Sequence, residues 1–151
     1  MVMVEPRRGV FGDCYRACIA HILGVARHEV PHFGAHGRNQ NEATQVAREW
    51  LAARGLTIFE CWADDRTRLS TILDAYSRQN PGAPIILHGE AAMKGGEINH
   101  AVVMLNGEIS YDPSGAGVCG PAIQTDNEGA SWWMEVLVPS SAIAQPQPEK
   151  D

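Results

Sequence analysis

The apolar residues of this chain change their spacing part-way along it, from a helical period in the first half to short β-type runs in the second, and that division constrains the fold more than any single residue. From Asp13 to Gly24, the residues Cys18, Ile19, Ile22 and Leu23 recur at helical intervals, with Asp13 placed as N-cap and Gly24 as a left-handed stop. Asn41 to Arg54 repeats the pattern with Ala43, Val46, Ala47, Trp50 and Leu51, and Arg66 to Gln79 does so with Leu69, Ile72, Leu73 and Tyr76. Val25 to Asn39 is broken by Pro31, Gly34 and Gly37, so it reads as a turn of helix followed by a loop. Strands are expected at Leu56–Trp62, Ala83–His88, His100–Leu105, Glu108–Asp112 and Trp132–Val138. Helices before strands predict an α+β fold, with N-terminal helices packed on a C-terminal antiparallel sheet.

A chain of 151 residues with 44% hydrophobic and 20% charged residues matches one globular domain, assigned here to residues 1–139. The tail 140–151, with Gln145-Pro146-Gln147-Pro148, reads as disordered. Twelve Lys+Arg against eighteen Asp+Glu give a net charge of −6, and no basic run marks a surface for phosphates, so nucleic acid is not an expected partner. No apolar stretch reaches the ~20 residues that span a bilayer, and the first eleven residues lack the apolar segment of a secretion signal. A soluble, cytoplasmic protein without membrane association is expected. Four cysteines, unevenly spread, read as free thiols rather than as a disulfide framework.

Cys14 falls in the first turn of the first helix, where partial positive charge and unpaired N–H groups favour a thiolate. His100 opens one strand and Asp112 closes the next, so one hairpin carries a candidate base and its orienting carboxylate. An imidazolium beside Cys14 would lower the thiol pKa from ~8.5 to about 3–4. The Cys14 N–H would donate to a developing oxyanion. An ideal two-residue turn at Asn106-Gly107 would pair Asp112 with Ala101 and put His100 and Asp112 on opposite faces. A three-residue loop, Leu105-Asn106-Gly107 with Gly107 left-handed, would set Asp112 opposite His100. Ala101, Val103, Ile109 and Tyr111 would then face the core, and Val102, Met104, Glu108 and Ser110 the catalytic side.

The run Asp13-Cys14-x-x-Ala17-Cys18-Ile19-Ala20-x-Ile22-Leu23 resembles the nucleophile motif of the papain-like, double-glycine-specific bacteriocin leader-processing peptidases. His100-x-Val102-Val103 and Asp112-Pro113 resemble that family's later motifs, in the same chain order. The resemblance implies a papain-like fold and a cysteine hydrolase, without cofactor or metal, acting on a peptide, isopeptide or amide bond of a peptide or protein substrate. The catalytic residues it implies are Cys14, His100 and Asp112. The Gln that the family places six residues before its cysteine is Arg8 here, and the Gly after it is Tyr15. Arg8 or a backbone amide would then complete the oxyanion site, or the cleft would serve as a non-catalytic module that binds a peptide or protein partner.

Other groupings compete for the same residues. Cys14, Cys18 and His21 share one helical face, and with Cys119 or His36 would make a structural zinc site. His28, His32 and His36 repeat every four residues but straddle Pro31 and two glycines, and read as surface or loop histidines. Trp132 and Trp133 are adjacent on a strand, so one ring is expected in the core and the other at its edge. Gly95-Gly96 and the segment 114–130 are the expected cleft walls.

Overall fold

The computed structural model describes residues 13–62, 68–90, 99–113 and 132–142. The elements run α1 (Cys14–Leu23), a 3₁₀ turn (Arg27–Glu29), α2 (Gln40–Ala52), β1 (Leu56–Trp62), α3 (Leu69–Gln79), β2 (Ile85–Glu90), β3 (Asn99–Leu105), β4 (Glu108–Tyr111), β5 (Trp132–Pro139) and a 3₁₀ turn (Ser140–Ala142). The architecture is α+β. Five strands form one antiparallel sheet in the order β1-β5-β2-β3-β4.

Helix boundaries follow local chemistry. Gly24 closes α1 at φ 66°, the left-handed position that glycine occupies without steric cost. Helix α2 starts one residue earlier than its apolar pattern suggests, because Asn39 and Glu42 form a reciprocal capping box with bonds of 3.0 and 2.7 Å. Strand β2 begins at Ile85 rather than Ala83. The Ala83 N–H is taken by the Asn80 carbonyl at 3.1 Å, and Pro84 has no N–H for a ladder.

Helices cover both faces of the sheet, not one. On one face, α1 and α2 bury Cys18, Ile19, Ala47 and Leu51 against Ile58, Ile86, Ala101 and Val103. On the other, α3 sets Leu69 and Leu73 against Ile85, Leu87, Val102, Met104 and Met134. The unbroken apolar runs Ile85-Ile86-Leu87 and Ala101-Val102-Val103-Met104 belong to inner strands that are buried on both sides. For the same reason Trp132 and Trp133 are both in the interior, one on each face, which corrects the expected split between core and edge. Ile109, expected in the core, is exposed on edge strand β4.

Ser140, placed with the tail by its composition, donates its N–H to the Gly55 carbonyl at 2.8 Å and opens the final 3₁₀ turn. The tail beyond it, 143–151, lies outside the described residues, as do Arg8, Cys119, Gly95-Gly96 and 114–130.

Candidate active site

Cys14 is the first residue of α1. Asp13 occupies the N-cap position but makes no side-chain cap. Its carboxylate accepts a 3.0 Å hydrogen bond from Arg16 and is ion-paired with Arg27. The first intrahelical bond is Ala17 N–H to Asp13 C=O, 3.1 Å, so the N–H groups of Cys14, Tyr15 and Arg16 precede the helical ladder. Because the Asp13 side chain is drawn to arginine, it does not occupy them.

The β3–β4 hairpin closes differently from the expected three-residue loop. Leu105 pairs with Glu108, and the two residues between them, Asn106 and Gly107, have φ of 52° and 84°, the type I′ pattern of a two-residue turn. Alone, that turn would send His100 and Asp112 to opposite faces. The register shifts further along, between Met104↔Ile109 and Val103↔Tyr111, where β4 carries Ser110 as an extra residue. Its hydroxyl donates to the Val103 carbonyl at 3.2 Å. After the bulge, Asp112 is in phase with Val102 and hence with His100. The outcome is a direct contact: His100 Nε2 lies 2.9 Å from Asp112 Oδ1.

A carboxylate only accepts, so this contact assigns the Nε2 proton to the bond with Asp112 and leaves the Nδ1 lone pair as the basic site of the neutral ring. His100 is 8% exposed, and its β2 neighbour is Gly89, which places no side chain beside the ring. The Ala101 N–H, one residue on, bears on the Cys14 sulfur. His100 and Asp112 are thus brought into contact, and the Cys14 sulfur lies against the N–H of Ala101, the residue that follows His100.

The Cys14 thiol is itself buried, at 6% exposure. Burial pushes its pKa up to about 11, and the Asp112 charge adds to the rise. The N–H groups of Ala101, Tyr15 and Cys14 work in the opposite direction, without overcoming burial. Burial thus works against the thiolate that the helix N-terminus was expected to favour. The pKa of Cys18, fully buried one turn on, is likewise raised by burial, reinforced by Cys14, Asp112 and Glu135.

A second polar group lies behind this site and was not anticipated. His88 Nε2 stands 3.3 Å from Glu135 Oε2, both nearly inaccessible to solvent, at ion-pair separation but not aligned as a hydrogen bond. Burial alone would raise the Glu135 pKa. The nearby His88 ring, together with the Tyr15 hydroxyl and Arg48, outweighs that and holds it below the ordinary carboxylate value. The His88 ring is stacked on Trp133 at 4.5 Å and meets Tyr15 edge-on at 5.0 Å. A signal existed in the sequence. His88 ends the run Ile85-Ile86-Leu87 and Glu135 interrupts Trp132-Trp133-Met134, and ionisable residues inside apolar strands are buried in pairs.

His21 is stacked on Tyr111 at 4.2 Å, and among the described residues no group of three or more His, Cys, Asp and Glu side chains is arranged to hold a metal ion. Nor is any helix among those residues long and apolar enough to cross a membrane. Comparison with known proteins returns no match: no family model, no curated protein and no solved structure matches the chain.

Proposed function

We propose that the chain is a papain-like cysteine hydrolase that cleaves a peptide, isopeptide or amide bond through Cys14, His100 and Asp112. The observation that carries this reading is the 2.9 Å contact between His100 and Asp112, with the sulfur of Cys14, the first residue of α1, against the N–H of Ala101. His100 Nδ1 takes the Cys14 proton as the sulfur attacks the carbonyl carbon. The imidazolium then gives that proton to the leaving amine, and a thioester remains on Cys14. Water adds to the thioester carbonyl, gives a proton to His100, and the Cys14 sulfur leaves and is reprotonated. Asp112 holds the ring in the required tautomer throughout. The first-turn N–H groups beside Cys14 are the available donors to the oxyanion in place of the missing Gln.

The raised pKa of the buried thiol sets the mode of action. His100 serves as a general base during attack rather than as half of a standing ion pair. It also favours one second reading, a catalytically silent cleft that binds a peptide or protein partner.

An acid-quench experiment with p-nitrophenyl acetate separates the two. The hydrolase reading requires a transient acetyl thioester on the Cys14 peptide that decays in water and is absent in Cys14→Ala. If the wild-type protein never carries it, the silent cleft is the correct reading.

A further inference from the structure

Four strands contribute one residue each to a single row across the sheet. Ala101 of β3 pairs with His88 of β2, His88 with Trp133 of β5, and Trp133 with Trp62 of β1. Paired residues share a face, so this row lies under α1 and α2, on the side that carries Cys14. The rings in it are nearly parallel: His88 on Trp133 at 4.5 Å and 6°, Trp133 on Trp62 at 4.8 Å and 13°. The stack ends in the open. Trp62, on the edge strand, is 60% exposed although it is among the largest apolar side chains of the protein.

Beside that open end is a recess of about 130 Å³, walled by Trp62, Trp133, Arg48, Glu60, Asn41 and Thr44. Pockets that enclose a whole small molecule begin near ~300 Å³, so this one suits a single side chain. Its formal charges cancel, because Arg48 Nη2 pairs with Glu60 Oε1 at 3.2 Å. Arg48 is tied further by donating Nη1 to the Ile58 carbonyl at 2.9 Å. A charged occupant would have to compete with that pair. A neutral planar occupant meets the Trp62 and Trp133 rings and finds hydrogen-bonding groups at Asn41 and Thr44.

We infer that this recess is a subsite for a neutral aromatic side chain, tyrosine above all, carried by a peptide ligand. That the peptide is also the substrate rests on the hydrolase reading. Binding at the recess does not.

The test is a titration with N-acetyl-L-tyrosinamide, followed by amide and indole chemical shifts in wild-type protein, Trp62→Ala and Cys14→Ala. The inference requires saturable shifts at the Trp62 indole, Thr44 and Glu60, lost in Trp62→Ala and retained in Cys14→Ala. N-acetyl-L-alaninamide should give none at the same concentration. Equal response to the alanine compound, a stronger response to N-acetyl-L-argininamide, or shifts that persist without Trp62 would overturn it. Retention in Cys14→Ala keeps this result separate from catalysis. If Cys14 never forms a thioester, the recess remains a peptide-side-chain site and only its link to a substrate is lost.

Discussion

His100 Nε2 and Asp112 Oδ1 are 2.9 Å apart although the turn that joins their strands, taken alone, would place them on opposite faces of the sheet. A charge-assisted bond of this kind contributes about 1.5–3 kcal/mol. Asp112→Ala is therefore expected to slow acylation of Cys14 by about 10- to 100-fold. Asp112→Asn keeps an acceptor oxygen and should fall between the two. Equal rates in wild type and Asp112→Ala, measured with an activated ester, would show that the carboxylate orients nothing.

Burial of Cys14 gives the protein a stability signature in alkali. The folded pKa of about 11 lies above the reference 9.0, so the unfolded chain loses this proton first. The contribution is complete below pH 9 and is lost as pH rises to 11, amounting to roughly 3 kcal/mol for two units. Cys18 and Tyr15, also raised by burial, add to the same decline. Urea unfolding at pH 8, 9, 10 and 11 should show a shallower decline in Cys14→Ala than in wild type. Parallel curves would mean that the thiol is solvated.

Glu135 has the opposite sign. Its folded pKa is depressed below the reference 4.5, so its stabilising contribution is present above that value and disappears as pH falls through the folded one. Glu135→Gln should flatten the acid limb of the stability curve below about pH 4.5. Glu135→Ala, which leaves His88 without its carboxylate, should cost about 3–5 kcal/mol at neutral pH. A loss below 1 kcal/mol in chemical denaturation would argue that the pair is hydrated.

The turn that starts the hairpin depends on its glycine. Gly107 has φ of 84°, and a Cβ there would meet only Ser77 Oγ, at an ordinary 3.6 Å. Gly107→Ala should therefore destabilise by about 1–2 kcal/mol through backbone strain alone. The loss should be unchanged when Ser77→Ala is added. Relief in the double variant would point to a clash instead.

Much of the fold is legible in the sequence because its devices are local. Helical spacing, the glycine stop at Gly24 and the Asn106-Gly107 pair each act within a few residues. The contact between His100 and Asp112 was legible for a related reason, since both stand near the ends of neighbouring strands, where such residue types have few structural uses. The bulge at Ser110 was not, because only pairing against β3 distinguishes an extra residue in a strand from an extra residue in a turn. The rise in the Cys14 pKa on burial was also hidden. It depends on how deeply α1 is buried against β3, and a helix N-terminus in the sequence reports only the favourable half of that balance. The stack of His88, Trp133 and Trp62 comes from strands far apart in the chain, and the sheet order β1-β5-β2 alone makes them neighbours.

The central claim is that His100 acts on Cys14, and the protein carries its own control in Cys61, a free and exposed thiol. Acetylation of both cysteines by p-nitrophenyl acetate at pH 7.5, resolved by peptide mass spectrometry, should proceed faster at Cys14 than at Cys61 despite the burial of Cys14. In His100→Ala the Cys14 rate should fall by about 100-fold or more while the Cys61 rate stays the same. Slower reaction at Cys14 than at Cys61, unaffected by loss of His100, would contradict the account and identify Cys14 as a packed core thiol.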